Sequence, residues 1–504
     1  MTPALTLAGF LGTFLVRRVL RHGVLRVPAI RALLVAVVVI ALGGALTFGV
    51  VTLRSIITDP ELLRPLLRVA GTAVPMWTLA LFTVVRVLFL RSNDLVELTY
   101  CLPVTNRART IGFMLFEAAL VGAGTAVILG ALVVGALSIG GIGILDDIVT
   151  CLVMPSVISY LLASALYLAL ERGLLRLRLA RLRSFLVPVI LAGSLIALSV
   201  VTTAQSERVL FAAVDRGPEH FAVQLLFADL AETLGPVVAT VAWLAIVAVL
   251  VALILVVNPR SFEPTRRFAI APRLFGSSEF GAYVAAHLRP IETMTVYGLV
   301  LGGSYALLLL DIELPPFLLV ACTVSAVYAH VSTAPLRAIG PRRHGLLVRY
   351  LLIVAPQATA LVLCAVPIGV MSALTGIDVV TILAVVGFAL SNIVVLTLAG
   401  IAFPPEKGNP FSVIVGIVTT GIVTGTLLLG TDLLGLPTGV SVVSLLVISA
   451  AAVGLSLLGM QKIERTERHE VDVQSTRMRR SGRRRRGGDR DRHAGVADVL
   501  VGVD

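Results

Sequence analysis

The chain has 504 residues, 57% of them apolar, a mean hydropathy of +0.99 and a formal net charge of +12. This composition excludes an ordinary soluble domain. The positive excess sits in short segments between charge-poor runs, so it signals membrane topology and not nucleic-acid binding.

In chain order, an amphipathic segment comes first. Val16, Val19, Leu20, Val24 and Val27 fall on one helical face with Arg17, Arg18 and Arg21 opposite. That pattern predicts an interfacial helix over about residues 10–27, and a merely basic juxtamembrane run fits the same residues equally well. Twelve apolar runs follow, at 32–53, 69–90, 111–137, 148–170, 185–203, 236–257, 294–310, 316–333, 350–374, 379–403, 411–429 and 440–460. A run of about 22 residues reaches about 33 Å as a helix, enough to cross a bilayer core. Lipid offers the backbone no hydrogen-bond partners, so each run must be helical. The fold class expected is an all-α polytopic membrane protein. With the N-terminus inside, the cytoplasmic segments sum to +21 and the outer ones to −8, which places both termini in the cytoplasm.

The runs divide into two parallel six-helix halves. The first occupies residues 1–257 and the second 294–460, joined by a cytoplasmic linker, 258–293, and followed by a disordered Arg-rich tail, 461–504. The linker carries its own amphipathic segment, with Phe280, Tyr283, Val284, His287 and Leu288 on one face. Each half also places a Pro-and-Arg cluster between its second and third spans: Leu102-Pro103-Val104-Thr105-Asn106-Arg107-Ala108-Arg109 and Gly340-Pro341-Arg342-Arg343-His344. The outer loop 206–235 has room for one or two short helices, whereas 431–439 is only a turn. Two six-helix halves in the same orientation imply a pseudo-twofold axis along the membrane normal and a path between them.

Few side chains carry recognisable chemistry. Only two lysines exist, Lys407 and Lys462, and neither follows glycine in a phosphate-binding loop. Arg86, Glu117 and His330 lie within about two turns of cytoplasmic span ends, where long side chains can snorkel. Structural pairing of Arg86 with Glu117 is a more economical reading than a proton relay. Gln357, Ser391 and Asn392 are mid-span and read first as helix–helix hydrogen-bonding groups. Cys101, Cys151, Cys322 and Cys364 have no ligand-like spacing and read as small packing residues. The tail from Arg477 to Arg492 lacks aromatic residues and suits anionic lipid better than nucleic acid.

At Leu102-Pro103-Val104-Thr105-x-Arg107 the chain resembles type-two ATP-binding cassette exporter permeases. The resemblance also covers the interfacial helix, six spans per half and an outer helical loop between spans five and six. It implies that Leu102, Pro103, Thr105, Arg107 and Arg109 form a coupling loop that docks on a separate ATPase subunit. Pro341, Arg342 and Arg343 would form a degenerate second one, because the second loop lacks the Leu-Pro-(apolar)-(Ser/Thr) run. The implied assembly is one chain supplying both membrane halves and two cytoplasmic ATPase subunits, in the plasma membrane. ATP and magnesium would be held by the partner, with no cofactor or metal on this chain, and an amphiphilic or lipid-like substrate would be exported.

Two other classes fit parts of the pattern. A gradient-driven carrier would share the 6+6 plan, although residues 91–110 lack the Gly-bounded Asp-Arg core usual in the major facilitator family. A membrane enzyme acting on a lipid-linked substrate would need outer carboxylates, for which Asp59, Glu61, Asp146 and Asp147 are the compact candidates.

Overall fold

The computed structural model describes residues 2–20, 28–57, 62–86, 99–100, 102–177, 179, 183–214, 222–258, 278–309, 315–339, 344–402, 439–440 and 442–463. Predicted span 411–429, the loop residues Pro341, Arg342 and Arg343, Asp59, Glu61, Cys101 and the tail from Arg477 lie outside them. The described residues form an all-α architecture, and eight of their helical stretches are long and apolar enough to cross a membrane.

Helix α1 (Thr2–Leu20) starts earlier than its amphipathic pattern suggested. Its buried face is Ala4, Leu7 and Leu11, and Val16 is exposed. That face packs on α4, where Gly112 lets the α1 backbone approach: a Cβ there would meet the Ala4 carbonyl oxygen at 2.8 Å. Helix α2 (Pro28–Ile56) also packs on α4, and α3 (Leu63–Thr83) continues as a wider π turn to Arg86.

Helix α4 (Asn106–Gly140) begins at an N-cap, Thr105, whose side chain accepts from the Ala108 N–H at 3.3 Å. It contains no proline and runs 35 residues. Gly141, at φ +64, ends it in a conformation that suits a residue without a side chain. The chain turns through residues 141–153 and returns beside α4 as α5 (Met154–Arg176), so the 71-residue helical stretch contains two antiparallel arms. Helix α6 (Arg183–Val214) follows. In the loop 206–235, with its room for one or two short helices, stands α7 (Leu226–Leu234), and α8 (Pro236–Val257) opens with proline at its first position. Helix α8 is apolar all round, yet of its 22 residues only Ala239 and Ile254 are buried. An uninterrupted apolar surface of that extent needs lipid for solvent.

Beyond the linker lie α9 (Glu279–Leu288) and α10 (Ile291–Leu309). Next come α11 (residues 315–339), α12 (Leu346–Leu374), α13 (Val379–Ala402) and α14 (Val442–Ile463). Helix α9 is N-capped by Ser278, which accepts from Gly281 N–H at 3.0 Å. Its predicted apolar face does not lie free: Tyr283, Val284 and His287 are buried and the helix packs on α12. Burial pushes the His287 imidazole down to about 4, so the ring sits neutral, edge-on to Tyr297.

Segment α11 departs from the straight helix expected over 316–333 and alternates short 3₁₀ and α turns. Thr323 donates to the Val320 carbonyl at 2.6 Å and Ser325 to the Cys322 carbonyl at 2.9 Å, bonds that favour the tighter winding. The two halves repeat one packing scheme. Helix α1 packs on α4 as α9 does on α12, α2 on α4 as α10 on α12, and α3 on α5 as α11 on α13. Helix α5 meets α8 as α13 meets α14, the latter through Ser391 and Ser449, whose hydroxyls lie 2.5 Å apart. The halves touch each other along α6 and α10, where Phe185 abuts Gly298 and Ile196 faces Gly303.

Candidate functional site

Charged side chains are gathered where α3, α4, α5 and α6 come together at one end of the first half. Arg86 and Glu117 are paired, Nη1 to Oε1, at 3.1 Å. The Glu117 side chain is only 1% exposed, and the Arg86 guanidinium turns into the bundle instead of snorkelling outward. The second Glu117 oxygen lies 3.3 Å from the Tyr160 hydroxyl, which is also 2.8 Å from the Met114 carbonyl. The guanidinium stands 4.5 Å over the Tyr167 ring and 5.1 Å from the Phe113 ring centre. Tyr167 donates to Glu171 at 2.9 Å, and Arg183 approaches Glu171 at 3.9 Å. Structural pairing of Arg86 with Glu117 is thus what the geometry contains. Tyr160, Tyr167 and Glu171 belong to the same network, although nothing in the sequence pattern singled them out.

A cavity of about 90 Å³ borders this network. Arg109 enters it from the first turn of α4 and is only 9% exposed. Its guanidinium lies 3.6 Å over the Tyr100 ring and donates to the Asn106 side-chain oxygen. Burial raises the Tyr100 phenol above its ordinary range, and the Arg109 charge partly offsets that rise. Asn258, just past α8, donates to the Thr110 hydroxyl at 2.6 Å, and Thr110 donates to the Asn106 carbonyl at 2.8 Å. Phe113, Met114, Leu168 and Ile254 supply the apolar wall.

The predicted coupling residues separate into three environments. Leu102 and Val104 pack on Leu7, Leu11 and Phe116, pinning the loop between α1 and α4. Pro103, Thr105 and Arg107 are exposed. The Val104 N–H returns to the Leu102 carbonyl at 2.8 Å, a three-residue turn that puts Pro103 at the apex. Arg109 is withdrawn into the cavity, on the inner side of the helix from Arg107. Pro341, Arg342 and Arg343 fall outside the described residues, but the adjacent His344 Nε2 lies 3.1 Å from Glu279 of α9.

The opposite end of the first half is laced by other ion pairs. Arg64 meets Asp147 at 3.1 Å, and Arg68 meets both Asp229 and Glu232 of α7. Asp147 is therefore partnered by a cation, which is a structural use for one of the two carboxylate candidates in the turn after α4. Among the described residues no group of three or more His, Cys, Asp or Glu could hold a metal ion. In the second half, Gln357 stands eleven residues into α12, as Glu117 does into α4. It is buried and donates to the Ile353 carbonyl at 2.9 Å, so the second half has a neutral group at the corresponding depth. No family model, curated protein or solved structure matches this chain.

Proposed function

We propose that the chain is the membrane permease of an ATP-driven exporter, with two six-helix halves in the cell membrane and both termini in the cytoplasm. ATP is hydrolysed on separate cytoplasmic subunits, two copies per chain, and the cargo is an amphiphile. The observation that carries this reading is the mounting of the 102–107 loop. Its apolar residues are anchored between α1 and α4, while Pro103, Thr105 and Arg107 face outward as a firm docking edge. A partner pushing on that edge acts directly on the N-terminus of the longest helix in the first half. The repeated packing of the two halves supports the same plan.

Purification in mild detergent from the native membrane is expected to bring down a stoichiometric nucleotide-binding subunit with vanadate-sensitive hydrolysis. Arg107→Glu and Pro103→Gly are expected to reduce that co-purification or its transport-linked hydrolysis about tenfold while leaving the thermal unfolding of the chain unchanged. A chain that purifies intact and alone, or variants that couple normally, would overturn the proposal.

A gradient-driven carrier of the same 6+6 plan is a second reading, favoured by the buried Glu117 beside Tyr160. It requires uptake or efflux that follows an imposed proton gradient without ATP and disappears in Glu117→Gln.

A further inference from the structure

We infer that the first-half cavity is a binding site for a phosphate-type oxyanion carried on an amphiphile, with Arg109 as its counter-charge. Among the described residues, the other guanidiniums at this cluster have carboxylate partners: Glu117 for Arg86 and Glu171 for Arg183. Arg109 is the exception. Its side chain meets the Asn106 amide oxygen and the Tyr100 ring face, both neutral, and it is more than nine-tenths buried. A cation withdrawn from water without a counter-ion is expensive to keep, and the expense falls when an anion occupies the adjoining space.

The cavity is furnished for such an anion. Two carboxylates, Glu117 and Glu171, also line the cavity, but each is matched by its own guanidinium, Arg86 and Arg183, so the positive charge left over for an incoming anion is that of Arg109. Stacking on Tyr100 fixes the plane of the guanidinium, leaving its remaining N–H fork for two oxygens of one acceptor. The Ser164 hydroxyl and the Asn258 amide line the same space and add donors in other directions, a set better matched to a tetrahedral oxyanion than to a planar carboxylate. Leu168 and Ile254 continue the wall with apolar surface, which suits the chain attached to a headgroup. This inference stands on the cavity alone. It does not require the ATPase partner, and binding is read on the purified chain.

The test is native mass spectrometry of the full chain released from nanodiscs of phosphatidylcholine with or without phosphatidylglycerol. Phosphatidylglycerol is expected to be retained preferentially. Arg109→Gln is expected to reduce its retention at least tenfold, and Arg109→Lys to restore part of it. Arg64→Gln, which removes the same charge at the opposite end, should leave retention unchanged. Should Arg109→Gln fail to fold, Ser164→Ala decides, with an expected loss of about threefold at unaltered melting temperature. Displacement of the bound lipid by millimolar inorganic phosphate identifies the free ion as a competent ligand, and resistance to it identifies the lipid headgroup; either agrees with the site. Equal retention of phosphatidylcholine and phosphatidylglycerol, or retention indifferent to both Arg109 and Ser164, would overturn it.

Discussion

Glu117 and Arg86 are hydrophobic-bundle residues in all but side chain, and each is tolerable only because the other is there. Removing one partner of a buried ion pair leaves an uncompensated charge, at a penalty of about 3–5 kcal/mol. Glu117→Ala is therefore expected to lower thermal stability in detergent by roughly that amount. The double replacement Arg86→Met with Glu117→Met should recover most of the loss, because no charge is then left in the bundle; equal instability of single and double variants would refute the pairing. The sequence made this pair legible by depth alone, since both residues sit near the ends of adjacent spans that share a loop. Tyr160, Tyr167 and Glu171 were not legible. Apolar runs have no polar face to say which side of a helix meets its neighbour, so Tyr160, 43 positions away from Glu117, carries no mark of contact with it.

At the level of elements, apolar length placed the long helices that the structure describes, eight stretches of them fit to cross a membrane, and said little of their internal geometry. The limits of α8 agree with its predicted run because Gly235 and Pro236 punctuate its start, with φ +91 at the glycine. The winding of α11 was hidden, because hydroxyl groups that bond back to the chain leave an apolar average unchanged. Its tight fit with α13 depends on Gly400, where a Cβ would stand 2.2 Å from the Val327 carbonyl oxygen. That neighbour is backbone and cannot swing aside. Gly400→Ala is expected to destabilise the protein by about 1–3 kcal/mol through forced separation of α11 and α13. Gly387→Ala, on the same helix with open space around the glycine, should be neutral or slightly stabilising. Parallel melting curves of the two variants check this, and an unaffected Gly400→Ala would contradict the close packing.

Across the described residues, helix pairs of the N-terminal part have counterparts in the C-terminal part that the residues themselves barely suggest. Equivalent helices meet in equivalent pairs, yet Glu117 of one half corresponds to Gln357 of the other. Among the described residues the packing pairs recur, while the buried Glu117 has a neutral Gln357 as its counterpart at the matching depth. The seam between halves runs along α6 and α10, with Ile196 only 3.7 Å from where a Gly303 side chain would begin. A cysteine pair at Ile196 and Gly303, in a chain with a protease site inserted within 259–277, is expected to react with a short bifunctional maleimide. After cleavage the treated protein should run at full length on a denaturing gel; two separate fragments would place the seam elsewhere. Periodicity could not forecast this contact, because every face of these spans is apolar enough to meet either lipid or protein.

Helix α4 is about 52 Å long at the helical rise, well beyond the thickness of a hydrocarbon core, and has no proline to absorb bending. One end begins at the exposed loop around Pro103 and the other stops at the Gly141 turn. It is a lever. Rocking it by about 5° about either end carries the opposite end through about 4–5 Å over that length. A displacement of that size is close to one helical turn, enough to shift which side chains face each other at the far side of the bundle without any helix having to unwind.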